Sequence, residues 1–324
     1  LKVFNQLSML VSHSNFTNNI VPSANGAVFS LRLDSVTEPQ ITFTESVFAG
    51  NQADSGSVLY VTGTRPHISF VGTTWTDQST TNGVVHLSLT GEPSPANATH
   101  IEWINSVFHN CSSENGGVFL LDTLVSTKMM VTNCNFASCH ADTEGGVLLI
   151  ISGQTDAAVT LSVSDSSFDS NNANVGGVIY ARLFGGTTLL THTFTFDNVT
   201  ATSNTAVGGG FLSVGSSNNG VAPLQADVVI TNSHFADNVA SMEGCVIYAL
   251  LSSGYNRFSL HDTGSTFDNN QASETGGAVL YAEFVSTVTP TVEILAVDST
   301  FTSNKANAGS GGVFYTKNVN LNVT

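Results

Sequence analysis

The sequence predicts an all-β fold: a right-handed parallel β-helix of about ten coils with a period near 32 residues, spanning 1–324 as a single domain. Three observations predict it. One phrase, an aromatic followed by a carboxamide and then by small residues, recurs along the whole chain. Each recurrence leads into an apolar, β-branched run rather than into residues at helical spacing. Only 10% of the 324 residues are charged, with Ser, Thr, Asn and Gly in their place, which are turn and strand-surface residues rather than helix formers.

The aromatic column reads Phe16, Phe48, Trp75, Phe108, Phe136, Phe168, Ala201, Phe235, Phe267 and Phe301, at gaps of 27 to 34 residues. A recurrence of this length is a repeat architecture. Three residues later stands a second column: Asn19, Asn51, Gln78, Cys111, Cys139, Asn171, Asn204, Asn238, Asn270 and Asn304. Glycines follow, as in Gly116-Gly117, Gly145-Gly146 and Gly176-Gly177, and then a strand-like run such as "VFLL" or "VIYA". An alternating run such as "ADVVITNSHF" returns to the aromatic. The units are too short for propeller blades and lack regular hairpin signals. A parallel coil of about three short strands fits, stacked at about 4.8 Å to give a rod of about 50 Å. Right-handedness follows from the preference of parallel crossovers. In such a coil Phe stacks on Phe inside the rod, Asn bonds to Asn as in carboxamide ladders, and Gly supplies tight turns.

Net charge is −16, with eight Lys and Arg. Basic patches for nucleic acid are missing, and no apolar run is long enough to span a membrane. The chain opens and closes in mid-phrase, the expectation for a mature product or a segment of something longer. Five glycosylation sequons begin at Asn15, Asn97, Asn110, Asn198 and Asn322. Asn97 stands in the loop-like "GEPSPANATH" and is the best candidate. Few Lys and many sequons together point to a secreted or surface-displayed eukaryotic product.

The pairs "FTNN", "FAGN", "FDSN", "FADN", "FDNN" and "FTSN" with "GGVF", "GGVL", "GGVI" and "GGAV" resemble the FxxN and GGA[ILV] tetrapeptides of the chlamydial polymorphic membrane protein repeat, over nearly the whole chain. The resemblance implies a right-handed β-helix displayed at the cell surface as an adhesin. This chain mostly has Val where that family has Ala, and it carries sequons that point away from bacteria.

Parallel β-helices also host polysaccharide lyases and hydrolases, which need carboxylates grouped on neighbouring coils, with a basic residue for a lyase. Asp169 and Asp268 recur three coils apart. Glu114 with Glu144, and Glu243 with Glu274, stand on adjacent coils at unequal offsets with no basic residue in reach. They read as turn carboxylates on a solvated edge. No catalytic residue, metal or cofactor is implied, since Walker, HExxH and G-x-S-x-G patterns are lacking.

Cys111 and Cys139 replace carboxamides on successive coils and are expected to form a disulfide, for which Cys134 competes; Cys245 reads as a buried free thiol. Zinc at His109, Cys111, Cys134, Cys139 and His140 matches no standard spacing. Insertions such as "LTGEPSPANAT" and "SVGSSNNGVAPLQ" fall at one phase of the repeat, so one edge is the place for protein or glycan partners. Strand-like ends with no capping helix predict end-to-end self-association or continuation into further coils. The functional expectation is a non-enzymatic stalk, filament subunit or adhesin. The alternative is a carbohydrate-binding or polysaccharide-degrading β-helix.

Overall fold

A computed structural model describes residues 7–33, 38–91, 98–153, 156–185, 189–215, 224–251, 255–274, 276–284, 290–308 and 311–323. Among them there is no helix, and every strand pairing is parallel. Each coil contributes to four stacks of strands rather than the expected three. In one coil these are Thr127–Thr132, Asn135–Ala137, His140–Glu144 and Leu148–Ser152. Repetition builds a first sheet of 11 strands and second and fourth sheets of 10 each. The third sheet is split into stacks of 5 and 4 strands, joined by isolated bridges through Asn172 and Val175.

Left-handed backbone at non-consecutive positions makes the corners of this coil: Asn133 (φ 52°), Ser138 (φ 55°) and Gly145 (φ 64°). Asn, Asp and Ser tolerate this region when their side chains bond locally. The glycine corner admits no side chain at all. A Cβ on Gly116 would lie 2.3 Å from the Phe119 carbonyl oxygen.

The main core is one continuous cluster from the first coils to the last, with a small separate cluster of Ala240, Cys245 and Ala272. Phe108, Phe136 and Phe168 stack with centroids 4.7 and 5.0 Å apart and planes within 3°. Where the column holds Ala201, Phe211 enters from the fourth sheet and packs edge-on to both Phe168 and Phe235, at 5.7 and 4.9 Å. The first sheet adds a second aromatic stack, Phe43, Phe70 and Trp103. A small apolar void of about 20 Å³ lies between Trp103, Val131, Val163 and Phe168, where valines follow that stack.

Candidate interaction surfaces and the ladders beneath them

The carboxamide column is a hydrogen-bonded ladder with a direction. Asn204 donates through Nδ2 to the Phe168 carbonyl of the preceding coil (3.0 Å) and to Asn238 Oδ1 of the next (3.0 Å). Its own Oδ1 accepts from the Asn171 backbone N–H (2.9 Å) and Nδ2 (3.0 Å). One amide therefore ties three coils. The pattern continues through Asn238, Asn270 and Asn304, and Asn19 bonds Asn51, which bonds Gln78. Asn51, Gln78, Asn171, Asn204, Asn238 and Asn270 are buried, whereas Asn19 and Asn304 at the two ends are half-buried.

A second ladder went unread in the sequence. Two residues before each aromatic, Ser46, Ser106, Ser166, Ser233 and Ser265 occupy the opposite corner. There a hydroxyl donates two residues back along its own chain, as Ser166 does to Ser164 O at 2.7 Å. It accepts an N–H from the previous coil, as from Cys134 N at 3.0 Å. Cys134 belongs to this column, so it is no competitor for the other cysteines. Ser and Thr are so common here that only their constant offset from the aromatic betrays the column.

Cys111 and Cys139 stand one above the other in the gap of the carboxamide ladder, as expected, but as free thiols rather than a disulfide. All four cysteines are buried. The Cys111 thiol is pushed well up by its hydrogen bond with Cys139 and by burial. Burial pushes Cys134 up to about 11 and Cys245 up to about 12. No group of three metal-ligating side chains occurs among the described residues.

The register separates the two carboxylate pairs. Asn115, not Glu114, stands beside Glu144, as the unequal offsets allowed, whereas the Glu274 N–H bonds Met242 O, the bond that sets Glu274 level with Glu243 on the next coil. A basic partner is present after all: Arg182 hydrogen-bonds Glu144 and lies over the Tyr180 ring at 5.7 Å. Both sit at the corner between the third and fourth sheets. There a concave surface has Leu120, Leu149 and Ile151 as its floor and Asn82, Asn115 and Thr143 as its wall. The same outer face of the fourth sheet carries stacked Tyr248, Tyr281 and Tyr315. Tyr281 donates to Glu283 Oε2 (2.7 Å), and Lys317 bonds Glu283 at 2.5 Å. The Lys317 pair draws the Glu283 carboxyl down against the opposing effect of its burial.

Of the sequons, Asn15, Asn110, Asn198 and Asn322 are exposed, and Asn97 lies outside the described residues. Asn110 and Asn198 occupy left-handed corners and donate to Asp77 (2.6 Å) and Asp165 (2.8 Å). The variable insertions enter after the fourth-sheet strand and leave at the next first-sheet strand, and part of their length falls outside the described residues.

Residues 264–282 match the Chlamydia polymorphic membrane protein (Chlamydia_PMP) repeat, in agreement with the tetrapeptides read along the chain. That stretch holds one residue of the aromatic column, one ladder carboxamide and one glycine corner: Phe267, Asn270 and Gly277. No curated protein and no solved structure matches the chain.

Proposed function

We propose that this protein is a non-enzymatic structural or adhesive β-solenoid of the cell surface, acting as a stalk, filament subunit or adhesin. The observation that carries this reading is the use of the interior. A continuous aromatic core and two corner ladders, the carboxamide one interrupted only at Cys111 and Cys139, tie coil to coil along the rod, which is what a stiff spacer needs. The match to a repeat of surface proteins supports the location. The half-buried ladder ends at Asn19 and Asn304 support association with further coils, of the same precursor or of a second copy. Glycans on Asn15, Asn110, Asn198 or Asn322 would decorate the sides, and the insertion edge would meet protein or glycan partners. Small-angle scattering tests the rod directly: a particle of about 50 Å per copy, or multiples of it, fits the proposal, and a globular profile contradicts it.

A second reading, carbohydrate binding, is favoured by the concave corner between the third and fourth sheets. Its apolar floor, amide wall and Glu144–Arg182 pair form the mixed surface that sugar hydroxyls and ring faces need. Retention of the chain on neutral polysaccharide columns, lost in Arg182→Ala, tests it.

A further inference from the structure

The ladder is broken at one place, and the break coincides with the other defects of the rod. Gln78 turns its Nε2 to its own chain at Thr76 O (2.6 Å), and the carboxamides resume only where Cys139 N–H meets Asn171 Oδ1 (2.9 Å). Between them, Cys111 and Cys139 make only weak sulfur contacts to carbonyls, at 3.6 to 4.0 Å. The apolar void lies against these same coils, with Phe136 on its wall. The middle of the rod therefore lacks the tie that Asn171, Asn204, Asn238 and Asn270 give the following coils.

We infer that Cys111 and Cys139 are an oxidisable rung, whose disulfide replaces the missing carboxamide tie and sets the stiffness of the middle of the rod. Their strands are in register, Phe108 over Phe136, and the His140 N–H bonds Cys111 O at 2.9 Å. Adjacent strands lie about 4.8 Å apart, which is inside the Cα separation a disulfide accepts, roughly 4.4–6.8 Å. The Cys139 sulfur already reaches back to the coil that carries Cys111, 4.0 Å from the Phe108 carbonyl oxygen. The inference rests on the scaffold reading only for its consequence; bond formation itself does not depend on it.

The step balances with a small-molecule disulfide as oxidant. One cysteine, as thiolate, attacks a sulfur of that disulfide and expels one small thiol. The second, as thiolate, attacks the mixed disulfide and expels the other. Two protons leave the protein, one sulfur–sulfur bond forms, and the oxidant is reduced to two thiols. Both residues are at most 1% exposed, so exchange belongs to the time when these coils are being laid down.

The test refolds the chain with oxidised glutathione, unfolds it, alkylates the free thiols and maps them by mass. The expected result is that Cys111 and Cys139 escape alkylation as a linked pair while Cys134 and Cys245 are labelled. Four labelled cysteines, or a link through Cys134, would overturn the inference. Amide exchange then reads the consequence: oxidation slows exchange around Phe108 and Phe136 by about tenfold or more. The double variant Cys111→Asn/Cys139→Asn rebuilds the carboxamide column and is expected to exchange as slowly as the oxidised chain, indifferent to reductant. If it exchanges as fast as the reduced parent, the broken ladder is not what weakens the middle.

Discussion

Replacing Asn204 by Ala removes one side chain and cuts four hydrogen bonds. The Asn171 N–H loses its acceptor, and Phe168 O loses its side-chain donor. Asn171 Nδ2 keeps its bond to Phe136 O, and Asn238 Oδ1 keeps the one from Asn204 N–H. The site is fully buried, so water cannot replace the lost partners. A buried orphaned group costs about 1–3 kcal/mol. Two such groups in one corner put the loss at about 2–6 kcal/mol by the same rule. Urea unfolding followed by circular dichroism measures it, with amide exchange locating the opening at the coils of Asn171, Asn204 and Asn238. The control is Asn135→Ala. Asn135 is exposed on a short strand with ordinary extended backbone, so its loss is expected to stay within about 0.5 kcal/mol. A loss below about 1 kcal/mol for Asn204→Ala, or equal losses at the two sites, would refute the view that the ladder holds the coils.

Phe168→Ala removes a core ring stacked on Phe136 and is expected to cost about 3–5 kcal/mol in the same assay. Gly116→Ala forces a Cβ against the Phe119 carbonyl at φ 63° and should cost at least about 2 kcal/mol, read as a lower urea midpoint. Burial lowers the pKa of His192 to about 4, with its Nδ1 accepting from the Val159 N–H. The unfolded chain takes up that proton near pH 6.5 and the folded chain does not. Stability should therefore fall between pH 6.5 and about 4, by up to about 3 kcal/mol from this residue, and His192→Leu should flatten the melting profile there. Asp262 has the opposite sign. It faces inward between Ile230 and Ala296 with neither oxygen hydrogen-bonded. Burial raises its pKa, while the Ser265 and Ser299 hydroxyls ease that from a distance. Asp262→Leu should raise the melting temperature at pH 7, and the gain should shrink as pH falls through the raised folded-state value.

The coil was legible in the sequence because its two strictest positions are chemically distinctive. Phe at 48, 108, 136 and 168 and Asn at 51, 171, 204 and 238 stand at a fixed offset of three residues, and the structure places them as stacks. The hydroxyl corner was hidden by residue type, since Ser106 or Ser233 looks like any other serine in so polar a chain. The third-sheet strands were hidden by length and composition: "QADS" and "SSEN" show no apolar alternation, yet they pair in register. Phe211 was hidden by position, filling from across the core the place of a ring that Ala201 lacks. Glu144 and Arg182 were hidden by register. They lie 38 residues apart on different sheets, and only the way one coil's third strand overhangs the next coil's fourth brings them together. The interaction surfaces were thus less readable than the core, because a repeat fixes what is periodic and a site depends on what is not.

The most direct test of the functional account reads retention and turnover together. Purified chain is immobilised and challenged with a panel of polysaccharides and with intact cells, and both the bound fraction and any cleavage products are measured. The account predicts retention through the insertion edge or the corner beside Arg182, with no new reducing or unsaturated sugar ends. Time-dependent release of such ends, abolished by substituting Glu144 or Glu283, would contradict it and make the solenoid an enzyme.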